Sequence, residues 1–374
     1  MKLVVGRETA QHERRVAVVP DTVTKLAAAG LSVVVERGAG DAAGYPDDGY
    51  VAAGAELADR NSFATADVVL AVQPLPIADA RTLRAGTLVL SFLQPAAEPD
   101  LLKVFADRNV SAMSLERLPR ISRAQSMDAL SSQALVTGYR AAIIAAERLP
   151  RFFPLLMTAA GTVPPAKVLV LGAGVAGLQA IATAKRLGAV VEAYDVRSAT
   201  REQVKSLGAK FVETGVSAEG TGGYARELTE EEKAKQQEVL EARIAVADAV
   251  ISTAAIPGRR APRIISRAAV ERMKAGAVIV DMAAESGGNC ELTQAGQTIV
   301  HQGVKIVGPV NLPAQLAFHA SEMYSRNLYN FLKPALGKDA ALAIDWQDEV
   351  FAQSCLTHAG AIKHEPTRKL VEAT

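Results

Sequence analysis

The 374-residue sequence predicts an α/β fold: two doubly wound parallel-sheet domains with a cleft between them. Three observations carry this. The chain is too long for one ordinary domain. Its short apolar runs, rich in β-branched residues, alternate with helical patterns, as expected of strands buried on both faces of a parallel sheet. The same rhythm then occurs a second time. Hydrophobic residues make up 49% of the chain and charged residues 22%, which allows a sizeable core.

In the first set, strands are expected at Leu3-Val4-Val5, Val33-Val34-Val35, Val68-Val69-Leu70 and Leu88-Val89-Leu90. A helix is expected from Asp21 to Ala29, stopped by Gly30. Gln133 to Leu149 reads as a long helix linking the two domains. The second set begins at Lys167-Val168-Leu169-Val170-Leu171. It continues at Val190–Tyr194, Ala249-Val250-Ile251, Val278-Ile279-Val280 and Lys305-Ile306-Val307. After Val310 the pattern turns helical, with Leu328, Phe331 and Leu332 at core spacing. This tail is expected to pack back on the first domain. The predicted division is 1–131 plus 311–374 for a discontinuous first domain, and 132–310 for the second.

Composition narrows the function. Forty-one basic residues against 40 acidic ones give a net charge of +1, which argues against a nucleic-acid binder. Two cysteines, Cys290 and Cys355, exclude a disulfide scaffold and point to a reducing compartment. Cys290 and Met282 read as core. The five histidines are scattered and form no metal-ligand spacing, so no metal site is expected. The N-terminus reads as a strand and not a signal peptide, because charge arrives at Lys2 and no apolar stretch follows. No run of about 18 apolar residues is present. The chain is therefore expected to be soluble.

The sharpest motif is Gly172-Ala173-Gly174-Val175-Ala176-Gly177. A strand precedes it, and a helix, Leu178 to Leu187, follows and stops at Gly188. Gly172 permits the tight turn, Gly174 lets backbone approach a pyrophosphate, and Gly177 lets helix and strand pack closely. The helix N-terminus offers unpaired N–H groups and partial positive charge to phosphates. Asp195 ends the next strand, close to the spacing at which a carboxylate accepts from a ribose 2′-hydroxyl. That favours NAD over NADP, although Arg197 nearby could take a 2′-phosphate. The context on both sides makes this a dinucleotide-binding turn of a Rossmann-like domain.

Three longer stretches resemble one family nearly end to end. They are Pro119 to Asp128 (PRISRAQSMD), Met157 to Ala166 (MTAAGTVPPA) and Glu285 to Cys290 (ESGGNC). The chain resembles the NAD(H)-binding component, the first domain of the alpha subunit, of proton-translocating NAD(P) transhydrogenase. Alanine dehydrogenase is the sister family and shares the fold.

The two differ chemically. A dehydrogenase that removes a hydride and a proton needs a general base near the carbon. In the alanine dehydrogenase pattern a lysine and a histidine serve substrate binding and catalysis. Here the lysine position carries Ala71 or Gln73, depending on alignment, and the histidine position carries Gln94. Neither residue type acts as acid or base at neutral pH. Transfer between two nicotinamide rings moves only a hydride and needs positioning and exclusion of water. Arg15 matches an arginine common to both groups and reads as structural.

The resemblance implies further site residues. The polar segment Arg120–Ser132 would be a loop reaching from the first domain into the cleft. Its Arg120, Gln125, Asp128 and Ser131 would form the nicotinamide-side loop, with Gln125 fixing which face is presented. From the residues alone, Arg120 and Asp128 would read equally as a solvated ion pair. Gly223 and Tyr224 would belong to a mobile flap near the adenosine end, or to an ordinary flexible loop. Gln236 matches a nucleotide contact, on a charged helix that otherwise reads as a solvated face. Val175, Ala176, Val196, Arg197 and the backbone at Ala255 would line the nucleotide.

The family also implies the assembly. NAD(H) would be the bound substrate, with NADP(H) on a separate beta subunit. A membrane-spanning subunit would couple hydride transfer to proton translocation. A homodimer, peripheral on the cytoplasmic face of the inner membrane through its partners, is expected. Since this chain stops at Thr374 without a membrane segment, those components would be separate polypeptides. The alternatives are an alanine dehydrogenase-like enzyme, for which no base is found, and a non-catalytic NADH-binding regulatory module.

Overall fold

A computed structural model describes residues 1–215, 229–255, 260–337 and 341–372, apart from the Lys233 side chain. The chain divides into two units, Met1–Gln133 with Pro313–Thr374, and Ala134–Leu312. The division falls inside one continuous helix, Ala129–Arg148.

Alternation along the strands builds both sheets. In the first unit, Leu3 and Val5 belong to the core on one face, and Val4 to the core on the other. In the second, Val168 and Val170 face one core, and Leu169 and Leu171 the opposite one. Residues that are apolar at every position suit such doubly covered strands.

The first sheet has the order Ala361–Ile362, Cys355–His358, Ser111–Ser114, Leu88–Ser91, Val68–Leu70, Lys2–Val5, Ser32–Glu36, Glu56–Ala58. Its six strands from Ser111–Ser114 to Glu56–Ala58 are parallel. The tail corrects the helical expectation after Val310. Helix Ala317–Leu332 does form. Beyond it, Cys355–His358 pairs antiparallel with Ser111–Ser114 and carries Ala361–Ile362 at the edge. These short strands lack the continuous apolar run that marks a central parallel strand.

The second sheet has the order Lys210–Phe211, Val190–Tyr194, Lys167–Leu171, Ala249–Ser252, Val278–Asp281, Val304–Val307, Thr298–His301. All pairs are parallel except the edge hairpin Thr298–His301 with Val304–Val307. In both sheets the order reverses beside the first strand, Lys2–Val5 in one and Lys167–Leu171 in the other. Doubly wound sheets bind ligands at the carboxyl ends of strands flanking such a reversal. Among the described residues, no helix is long and apolar enough to cross a membrane.

Candidate functional site

In the second unit, the reversal carries the glycine turn. Gly172 has φ +98°, and a Cβ there would lie 2.5 Å from Thr253 Oγ1. A Cβ at Gly177 would lie 1.9 Å from the Gly172 carbonyl oxygen. Both positions are therefore closed to any side chain by the protein itself. Gly174 differs: a Cβ there would meet nothing nearer than Arg197 Nη2 at 4.0 Å. Packing does not demand glycine at 174, whereas backbone approach of a ligand would.

The helix starts earlier than the sequence suggests, at Val175, so Gly177 lies in its first turn. Gly174 is its N-cap and makes no side-chain cap bond. The first-turn amides of Val175, Ala176 and Gly177 thus form a helix N-terminus suited to a pyrophosphate. Helix Ala129–Arg148 comes close to this turn. A Cβ at Gly138 would lie 2.0 Å from the Ala176 carbonyl oxygen.

Asp195 is buried, and its carboxylate is heavily engaged. It accepts from the Ala173 amide at 2.7 Å, the Arg197 amide at 2.9 Å, and Arg197 Nε and Nη2 at 2.9 and 2.8 Å. Asp195 therefore ties the end of its strand, at Val196-Arg197, to the glycine turn. Gln236 lies on helix Glu230–Val246, which opens with a Thr229–Glu232 capping box. It is nine-tenths buried, and among the described residues its Oε1 has no hydrogen-bond partner. An orphaned acceptor of this kind is costly unless a ligand donor meets it. Ala255 follows strand Ala249–Ser252 and is exposed. Gly223 and Tyr224 lie outside the described residues.

Asn289, from the ESGGNC stretch, is a residue that sequence reasoning missed. It is fully buried, accepts from Ser252 Oγ at 2.7 Å, and donates to the Ala254 and Pro262 carbonyls at 2.7 and 2.9 Å. It fixes the loop that carries Ala255. Only its neighbouring glycines hinted at a close backbone approach.

In the first unit, Ser122–Met127 forms a 3-10 turn and the following helix begins at Ala129. Ser131 is therefore helical, because the linking helix starts four residues ahead of its expected start at Gln133. Asp128 accepts from the Ser131 amide at 2.9 Å and from its hydroxyl at 2.5 Å, which is N-cap geometry. Arg120 and Gln125 are exposed.

The segments that follow strands Lys2–Val5 and Ser111–Ser114 of the first sheet carry three carboxylates that sequence reasoning missed. Glu8 accepts from the amides of Val72 and Gln73, at 2.6 and 3.2 Å. Burial pushes its carboxyl up to about 7. Glu13 clamps Arg15, with Nε at 2.8 Å and Nη2 at 2.7 Å, and accepts from Gln73 Nε2 at 2.8 Å. Arg15 also donates to Gln133 Oε1 at 2.8 Å, which supports a structural role. Glu116 accepts from the Leu93 and Gln94 amides at 3.0 and 2.8 Å, and from Ser114 Oγ. Gln94 Nε2 donates to Gln73 Oε1 at 2.9 Å. Each carboxylate is spent on holding backbone or an arginine.

Comparison with known proteins places this arrangement. The family model described as alanine dehydrogenase/PNT, N-terminal domain, matches residues 4–137, and its C-terminal domain counterpart matches residues 141–365. The chain belongs to the alanine dehydrogenase/PNT family. Within this family, it is 46% identical to the first part of NAD(P) transhydrogenase subunit alpha of Rhodospirillum rubrum, over 97% of this chain and 98% of the relative. The crystal structure of transhydrogenase from Sinorhizobium meliloti superposes with TM-score 0.89 at 44% identity, covering 97% of this chain and 100% of that one. Alanine dehydrogenase of Bacillus subtilis is a more distant member, 30% identical over 84% of this chain and 80% of its own.

Proposed function

We propose that the chain is the NAD(H)-binding component of a proton-translocating NAD(P) transhydrogenase, of the Si-specific/Re-specific type. The dihydronicotinamide C–H bond breaks, and the hydride with its electron pair forms a new C–H bond on NADP+ held by a separate beta subunit. NADH is oxidised and NADP+ reduced, with no proton transferred between them. A membrane-spanning subunit would couple this exchange to proton translocation.

The observation that carries the reading is the locked strand ends of the first unit. Ala71, Gln73 and Gln94 supply no acid or base there, Glu13 and Glu116 are held by Arg15, Gln73 and backbone amides, and Glu8, whose carboxyl does titrate near neutral pH, has both oxygens on the Val72 and Gln73 amides. A dehydrogenase needs a poised base at such a position. Direct hydride exchange needs only placement and dryness.

Gly172, Gly174 and Gly177, with the amides of Val175 and Ala176, would seat the pyrophosphate. Asp195, Val196 and Arg197 would receive the adenosine ribose. The Gln236 acceptor and the Ala255 backbone would complete this side, with Gly223 and Tyr224 over it. Arg120 and Gln125 would meet the nicotinamide end, on a loop whose helical exit is fixed by Asp128 and Ser131. A homodimer belongs to the same reading. The exposed apolar side chains Phe152, Leu155 and Met157, of which Met157 is 79% exposed, are a surface that a second copy would cover. The assembly would sit peripherally on the cytoplasmic face of the inner membrane.

The test is a mixing assay. The purified chain should bind NADH and leave NADP+ unreduced on its own. Addition of the NADP(H)-binding subunit should start hydride transfer. Full-rate NADP+ reduction by the chain alone would overturn the one-site reading.

A further inference from the structure

The C-terminal segment of the first unit grips the loop that carries Gln125 at several points. The side-chain amides of Asn327 and Asn330, on helix Ala317–Leu332, both donate to the Ser126 carbonyl oxygen, each at 3.0 Å. Two donors use both lone pairs of that carbonyl. Asn327 accepts at its other end from Ser132 Oγ at 2.6 Å, so it also ties down the start of helix Ala129–Arg148. On the other side of Gln125, Arg123 Nη1 donates to Asp348 Oδ2 at 2.7 Å. Just beyond this loop, Asp128 caps the helix.

Gln125 itself is exposed, and its side chain makes no hydrogen bond among the described residues. Its backbone is bracketed by anchors at Arg123 and Ser126, while its amide is left available. A reactive or orienting group works best when its support is fixed and its own polar atoms are uncommitted. The two asparagines lie 201 and 204 residues from Ser126 in sequence, so no local motif announces them.

We infer that Asn330, with Asn327, is a positioning residue for hydride transfer: through the Ser126 carbonyl it sets the pose of Gln125 without touching the nucleotide. This rests on the reading of the Gln125 loop given above. Asn330 is the more telling of the two. It is only partly buried, and among the described residues its side chain bonds to Ser126 alone, so its replacement should leave the fold intact. Asn327 is buried and bridges two elements, so its loss would mix folding with function.

The experiment uses the full chain mixed with its NADP(H)-binding partner subunit. Wild type, Asn330→Leu, Asn330→Asp, Gln125→Asn and the Gln125→Asn/Asn330→Leu double variant are compared. NADH affinity is read by fluorescence titration, folding by thermal melting, and hydride transfer from NADH to thio-NADP+ by stopped flow. Both Asn330 variants should keep NADH affinity within about twofold and melt as wild type, while transfer slows roughly tenfold. The double variant should be little slower than the slower single one, because both changes act through one pose. Normal transfer in Asn330→Leu alongside a slow Gln125→Asn would overturn the inference and leave the loop reading standing. Slowing in Asn330→Asp alone would assign the effect to the added charge, and would also overturn it. Rate loss matched by loss of NADH affinity, or losses that multiply in the double variant, would do the same. Normal transfer in Gln125→Asn as well would remove the loop reading itself, and this inference with it.

Discussion

Gln94 Nε2 donates to Gln73 Oε1 at 2.9 Å, joining two amides across the ends of neighbouring strands in the first sheet. Gln94 adopts a left-handed backbone at φ +44° to do so. Such a conformation is strained for a residue with a side chain and persists only where its surroundings hold it. Glu116 holds it, through the Leu93 and Gln94 amides.

The paired amides predict no amino-acid chemistry. NADH oxidation by the chain should be unaffected by pyruvate and ammonium over the neutral pH range, as followed by NADH absorbance. A rate that rises and saturates with both would establish a base at these strand ends.

The glycines of the turn should separate folding from affinity. Gly177→Ala drives a methyl into the Gly172 carbonyl and should cost about 2–4 kcal/mol, seen as a lower melting temperature. Gly174→Ala finds open space and should melt as wild type, yet bind NADH roughly tenfold more weakly. Equal stability losses at both positions would show that Gly174 serves packing.

Arg15 is the counter-ion of a fully buried carboxylate, with side-chain exposures of 3% for Arg15 and 0% for Glu13. Removing one member of such a pair strands the other. Arg15→Leu should cost about 3–5 kcal/mol in chemical denaturation. Arg15→Leu with Glu13→Gln should recover much of that loss, because no unpaired charge then remains.

Glu8 predicts a pH dependence of stability. Burial raises its carboxyl from 4.5 to about 7 in the folded chain. Between those values the folded state holds a proton that the unfolded state has released, so Glu8 makes stability fall as pH rises from about 4.5 to about 7. The corresponding change is at most about 3 kcal/mol. Glu8→Gln should remove that slope in melts taken from pH 5 to 8. An unaltered slope would assign it to other groups.

What could be read from the sequence follows from how local each signal is. Lys167–Leu171 and Val278–Asp281 are central parallel strands, and continuous apolar runs mark them. Glu56–Ala58, Ser111–Ser114 and Cys355–His358 are short, at or near a sheet edge, and partly polar, so periodicity passes over them. The glycine turn is legible because Gly172, Gly174 and Gly177 solve a steric problem within six residues. Pairings such as Glu8 with Val72, 64 residues apart, or Asn327 with Ser126 have no sequence period. Only the fold brings them together, so the locks that define the first unit's chemistry are invisible to a reading along the chain.

Those locks also bear on how such a chain could change its trade. A single exchange of Gln94 for histidine would break the amide pair and still leave Arg15 clamped by Glu13, with nothing to greet an incoming carboxylic acid. A lysine at Ala71, a residue only 4% exposed, would enter without room. Each step alone loses order and gains no reaction. Acid–base chemistry at these strand ends would therefore take several coordinated replacements and not one.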